Sequence, residues 1–308
     1  MPSGTSASLA RSITRSGSRQ TYGIIRWLAD ADLAEDAFRA YAYYRWVDDR
    51  LDGDTLTGSD RLDFLERQQH ILACATCGSP SPALAPEEEF LVELVRADRK
   101  GHPGLHSYVH HMMAVMSFDV RRRGRPVTSG ELAGYTHALS HAVMDGLSYF
   151  VGHRVAYPAT PDRWMAATGA HIVHMLRDAS SDVLVGYYNV PVEFLGRYHL
   201  APDDLGAPAY RLWVRQRSQL ARRCFRRGRA YIGSLRNLRV RLAGYAYYLR
   251  FESALRSLEA DGSPPSSALA WPDSMPGKAH AFPMTRTEPY PVPSSLLQRS
   301  RHQLDRMA

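Results

Sequence analysis

Arg45-Trp46-Val47-Asp48-Asp49-Arg50-Leu51-Asp52 closes a run, residues 34–47, that reads as one helix. Ala37, Phe38, Tyr41, Tyr44, Trp46 and Val47 recur near helical spacing, and the run holds no glycine or proline. Continued as a helix, Asp48 and Asp52 stand four apart and Asp49 and Asp52 three apart, so the carboxylates share a face. Like charges there repel. At ~4 Å and an effective dielectric of about 20, one such pair costs about 4 kcal/mol. A cation removes that cost, and Mg²⁺ is characteristically held by one or two carboxylates together with substrate phosphates. The plainer reading of the stretch is an acidic, solvated helix end before the turn-forming Asp52-Gly53-Asp54.

A second stretch bears on that choice. His174-Met175-Leu176-Arg177-Asp178-Ala179-Ser180-Ser181-Asp182 repeats the arrangement, with Asp178 and Asp182 four apart and an arginine just upstream. Two such faces set opposite each other would hold metal ions around a diphosphate, with guanidinium contacts from Arg45 and Arg177.

At these residues the chain resembles the squalene/phytoene synthases, the head-to-head trans-isoprenyl diphosphate synthases. Tyr41-Ala42-Tyr43-Tyr44-Arg45-Trp46-Val47-Asp48-Asp49 is similar to the family's first aspartate motif, and residues 175–182 are similar to its second. The resemblance runs over residues 18–259. It implies a single α-helical domain with a central cavity. It also implies Mg²⁺ on Asp48, Asp49, Asp52, Asp178 and Asp182, with the diphosphate of an allylic prenyl donor held by Arg45 and Arg177. Arg19 is a further diphosphate ligand on this view, although an ungapped count from Asp48 puts Gln20 at the basic position. Tyr135 matches the tyrosine opening a Tyr-x-x-x-Val-Ala-Gly-x-Val-Gly helix. Asp119 falls where the family often has another acid facing the cavity; the alternative is a local ion pair with Arg121, Arg122 or Arg123.

The departures concern the second substrate. His141 and Met144 occupy both glycine positions of that helix, where glycine would leave a groove for a prenyl chain. His171 and His174 replace a usual glutamine and asparagine, and Asn189 replaces a tyrosine. The filled groove, the lost tyrosine and the added histidines argue for a small aromatic acceptor in secondary metabolism, oriented or deprotonated by His171, His174 or Asn189, with Tyr41, Tyr44 and Tyr135 as cation–π walls for the allyl cation. The alternative is head-to-head joining of two prenyl diphosphates. A rival reading takes His171, His174 and Asp178, with His137 and His141, as ligands of a transition metal.

Periodicity independently makes the chain all-α. Helical patterns cover residues 60–73, 86–97, 106–121, 128–153, 162–185, 191–198 and 207–259, and alternating strand patterns are nearly absent. Thr128-Ser129-Gly130-Glu131 reads as a capping box. The 308 residues, 44% hydrophobic and 22% charged, suffice for one large core. Residues 1–17, rich in Ser and Arg, read as a disordered arm, 18–260 as the catalytic domain, and 261–308 as a Pro-rich tail anchored by Trp271 and Phe282. Three cysteines and no secretory pattern point to a reducing, cytoplasmic setting, and Cys74-Ala75-Thr76-Cys77 lacks the second pair a zinc site needs. Residues 211–250 carry twelve arginines and no acid. Core-spaced Trp213, Leu220, Phe225, Tyr231 and Leu242 run through them, which favours amphipathic helices over a nucleic-acid surface, with peripheral membrane contact allowed.

Overall fold

The computed structural model describes residues 4–53, 56–98 and 101–260. Among them there is no strand, only one isolated bridge between Pro126 and Tyr188. Twelve helices follow one another: α1 (Gly4–Gly17), α2 (Arg19–Leu28), α3 (Ala34–Asp52), α4 (Gly58–Cys77), α5 (Pro86–Ala97), α6 (Pro103–Arg122), α7 (Ser129–Gly152), α8 (Met165–Arg177), α9 (Ala179–Leu184), α10 (Val192–Tyr198), α11 (Pro208–Ser234) and α12 (Leu238–Ala260). A 3₁₀ turn, Pro161–Trp164, leads into α8.

Local chemistry explains several of the boundaries. Thr57 and Thr128 each accept from the backbone of the third helical residue, while Asp60 and Glu131 reach back, so both α4 and α7 start on capping boxes. Gly78 closes α4 at φ 74°, a left-handed position suited to glycine. Asn237 caps α12 by accepting from the backbone N–H groups of Arg239 and Val240. That cap splits the region 207–259 into α11 and α12.

Two expectations are corrected. Residues 4–17 are not a disordered arm. They form α1, packed on α3 with Ala10 and Thr14 fully buried. Small side chains on one face allow the close approach, and Ser6 reaches Glu93 of α5. The region 162–185 is not one helix either. It breaks at Asp178 (φ −93°, ψ 3°), where Ser181 turns its hydroxyl onto the Asp178 carbonyl. The expected Pro-rich tail lies outside the described residues.

Two large apolar cores result among the described residues, with a smaller third one around Ala179, Val190, Leu195 and Tyr210. One gathers α1 and α3–α7 around Phe38, Tyr43, Leu65, Phe90 and Val115. The other gathers α8, α11 and α12 around Ile172, Phe225, Ile232 and Tyr248. In the second, α8 and α11 approach closely through Gly169 and Gly228: a Cβ on Gly169 would stand 2.9 Å from the Phe225 ring, and one on Gly228 would run into the Ala166 backbone. The aspartate-bearing faces of α3 and α8–α9 meet where these cores adjoin.

Candidate active site

α3 carries Arg45, Asp48, Asp49 and Asp52 toward the seam. Asp48 is buried, and Asp49 is exposed. Arg45 donates to both Asp49 oxygens, at 3.0 and 2.5 Å, and stands 3.9 Å from Asp48. Burial pushes the Asp48 carboxyl well up, as does repulsion from Asp52, against the pull of Arg45. Asp52 is pushed up to about 6, first by burial, with Arg123 and Arg45 opposing.

From the other side, the end of α8 and α9 bring Asp178 and Asp182. Asp178 accepts from Arg177 at 2.6 and 2.7 Å and from His174 at 2.8 Å. Burial works to raise its pKa, but those hydrogen bonds more than offset it and hold the group below the usual carboxylate range. Asp182 is 1% exposed. It is pushed up to about 8 by burial and by Asp178. Its Oδ2 accepts from Asn189 at 2.6 Å, while Oδ1 has no partner. The turn at Gly186, φ 87°, folds the chain back so that the Tyr187 hydroxyl reaches Asp52 at 3.5 Å. One hydrogen bond thus ties the second aspartate segment to the first.

Asp119 of α6 sits between the two faces. It is 1% exposed, and neither oxygen has a hydrogen-bond partner. Burial raises its pKa well above the ordinary value; Arg122 opposes, while Asp52, Asp48 and Asp182 lie within electrostatic reach and reinforce the rise. Four buried or half-buried carboxylates from three segments therefore converge with three orphaned oxygens. Protons or cations must neutralise them. Among the described residues, no three His, Cys, Asp or Glu side chains approach closely enough to hold one ion alone. The set suits Mg²⁺, which takes few protein ligands and completes its shell with water and phosphate. Asp48, Asp52, Asp119 and Asp182 are the residues that would hold it.

The remaining expected residues divide. Tyr135 is buried on α7, its ring 4.4 Å from that of His171, and Asp119, Arg122, Asp182 and Asp48 are its charged neighbours. His171 is 2% exposed, with both ring nitrogens unpartnered; burial drives its pKa well down and keeps it neutral. Tyr41 lies by Arg45, Asp48 and Arg250. Tyr44 is a core residue instead, its hydroxyl bonded to the Val109 carbonyl at 3.1 Å. His174 is taken by Asp178, and Asn189 bridges Asp182 and Arg122, whose NH1 lies 2.5 Å from its side-chain oxygen. Neither is positioned as an acceptor ligand. His141 stacks on Trp164 at 4.1 Å, with the rings of His137 at 3.8 Å and His111 at 5.2 Å tilted against it. That places its ring in a stack with the 3₁₀ turn and α6, not among the carboxylates. Met144 is buried on α7. The transition-metal stripe does not assemble among the described residues: no three such side chains gather, for His174 meets Asp178 while the His171 ring turns to Tyr135.

Arg19 is exposed, whereas Gln20 points inward to the Ala246 carbonyl and accepts from Arg250 at 2.6 Å. Arg250 of α12 also lies 4.6 Å from the Phe251 ring centroid and has Arg177 and the neutral Tyr41 phenol as neighbours. Sequence reasoning missed Arg250 and Arg122. Their only signals were an arginine among twelve and a run of three after Asp119. A small cavity opens beside the site, between α8–α9 and α11, lined by Tyr187, Asn189, Tyr210, Trp213 and Arg217.

No curated protein sequence matches the chain. Among solved structures, the chain is similar to the squalene synthase HpnC from Alicyclobacillus acidocaldarius, with TM-score 0.64 and 18% identity over 85% of this chain and 96% of that one. It is also similar to a dehydrosqualene synthase in complex with ligand, with TM-score 0.63 and 14% identity over 86% of this chain and 90% of that one. At these identities the likeness speaks for the fold. A model of squalene/phytoene synthase matches residues 14–273. The chain belongs to the squalene/phytoene synthase family, and with it to the enzymes of prenyltransferase type.

Proposed function

We propose that the chain ionises an allylic prenyl diphosphate and transfers the prenyl group to a carbon of a small aromatic acceptor. The observation that carries the ionisation step is the convergence of Asp48, Asp52, Asp119 and Asp182 with three orphaned carboxylate oxygens. Magnesium bound there supplies Lewis-acid polarisation of the leaving diphosphate. Arg45, Arg177 and Arg250 would donate to phosphate oxygens as the bond breaks, the first two by releasing Asp49 and Asp178, with which they pair. Asn189 and Arg122 hold Asp182 in place. The buried Tyr135 ring offers a cation–π face to the allyl cation, worth roughly 0.5–2 kcal/mol.

For the acceptor, His171 is the supporting residue. Its neutral imidazole, unpartnered beside Tyr135, suits the proton that an aromatic carbon loses once the new carbon–carbon bond has formed. The second reading, head-to-head joining of two prenyl diphosphates, is favoured by His141. Its stack with Trp164 means that the lost glycine does not by itself block the cleft. Mass analysis of products separates the two. The chain is supplied with allylic diphosphates from dimethylallyl to geranylgeranyl and Mg²⁺, with and without a pool of phenols and indoles. Prenylated aromatics support the first reading, and a hydrocarbon dimer without any acceptor supports the second.

A further inference from the structure

Arg217 of α11 differs from the arginines around it. Its guanidinium lies 5.2 Å over the ring of Trp213, one turn back on the same helix. Among the described residues it makes no ion pair and no hydrogen bond. Burial pulls its pKa down to about 10, and the Cys224 thiol is the group that works the other way. Further along α11, Arg222 and Arg227 do have acids, Glu259 and Asp162. A half-buried cation without an acid keeps a desolvation cost that an anion beside it would offset.

The surroundings add donors rather than acceptors. Arg217 lines the small cavity between α8–α9 and α11 together with Tyr210, Trp213 and Asn189. Tyr210 is 3% exposed, and neither its hydroxyl nor the Trp213 indole N–H has a hydrogen-bond partner among the described residues. Ile172, Leu176 and Val190 complete the wall without charge. Two acids, Asp203 and Asp204, stand in the loop between the lining residues Pro202 and Leu205. Both are exposed, and neither acts on Arg217. Asp182 lies within electrostatic reach of Tyr210, but its Oδ2 accepts from Asn189. The cavity measures about 20 Å³, room for one water-sized group. A phosphate or an aromatic acid exceeds that space, and a single halide ion fits it.

We infer that the cavity beside Arg217 is a binding site for a small monovalent anion of chloride's size, held by the guanidinium with the Tyr210 hydroxyl and the Trp213 indole N–H. The inference does not depend on the reaction proposed above. It bears on the carboxylates, however, because Asn189 and Tyr187 line the same cavity and reach Asp182 and Asp52. A negative charge behind them strengthens the hold of those carboxylates on Mg²⁺, and by reciprocity Mg²⁺ strengthens the hold on the anion.

The test is the melting temperature of the full chain in sodium chloride, bromide or isethionate at one ionic strength, without metal or substrate. The wild type should show a saturable rise with chloride and bromide over the bulky isethionate. Arg217→Met should weaken that response about tenfold or more, the scale of a lost charged donor. In isethionate it should melt no lower than the wild type, since it removes an uncompensated charge. Tyr210→Phe, which keeps the ring and the guanidinium, should weaken the response severalfold. In a second arm, magnesium isethionate titrated into each salt should stabilise the wild type at severalfold lower concentration when chloride is present. Equal melting in chloride and isethionate overturns the proposal, as does a chloride response unchanged in Arg217→Met or Tyr210→Phe. Magnesium curves that coincide in the two salts overturn the coupling to the carboxylates.

Discussion

At the scale of single residues, the site is made of carboxylates whose burial favours the protonated form. Asp52 is raised to about 6 and Asp182 to about 8, both first by burial. Their unfolded values lie near 4. A carboxyl whose folded value is raised binds protons more tightly in the native state. Its stabilising contribution is therefore complete in acid and is lost as pH rises through the folded value. Without metal, melting temperature should fall between about pH 5 and roughly pH 8.5 through these groups, and Mg²⁺ should raise it more at the alkaline end. A scan series with and without Mg²⁺ checks this; a metal-independent rise across that window would contradict it. Asn189→Ala should cost about 1–3 kcal/mol in chemical denaturation, because it leaves both Arg122 and Asp182 buried without their shared partner. The aspartates were legible in the sequence because their spacing is local. Asn189 was not: its substitution was visible, but its partner Arg122 lies 67 positions away, and nothing local reveals that pairing. His141 misled for the same reason, since Trp164 claims its ring from the following turn.

At the scale of elements, glycine placement decides how α8 meets α11. Gly228 lies against the Ala166 backbone, and Gly169 against Phe225. Gly228→Ala should destabilise the fold by roughly 1–3 kcal/mol despite the better helix propensity of alanine. Because α8 also carries His171 and ends at Asp178, turnover should fall along with the denaturation midpoint. An unchanged midpoint would mean that the helices can part without cost. The sequence displayed most helices through periodicity and caps, Thr128 with Glu131 being the clearest. It hid α1 behind a composition rich in Ser and Arg and free of acid, although Leu9, Ala10, Ile13 and Thr14 keep helical spacing and turn to the core. It hid the break at Asp178 because the apolar pattern continues across it, while the side chain of Ser181 and the clamp on Asp178 bend the backbone.

At the scale of the whole molecule, the chemistry sits where helices of the first core, α3 and α6, deliver Asp48, Asp52 and Asp119, and α9, packed in the small third core, delivers Asp182. No described helix is long and apolar enough to cross a membrane. The arginines of α11 and α12 surround buried Ala221, Phe225, Val240 and Tyr248, as amphipathic helices require. Added duplex DNA should accordingly leave turnover unchanged at moderate salt, and a steep, salt-dependent affinity for it would contradict that view. The central claim is that carboxylates from α3, α6 and α9 act together on one diphosphate. It is tested most directly by diphosphate release from allylic substrates under Mg²⁺ titration, for the wild type beside Asp119→Asn and Asp182→Asn. The account predicts release that depends on Mg²⁺, stops with chelator and falls by about a hundredfold or more in each variant while the fold persists, the scale set by loss of a group that stabilises developing charge. Release at the wild-type rate in either variant at saturating Mg²⁺ would contradict it.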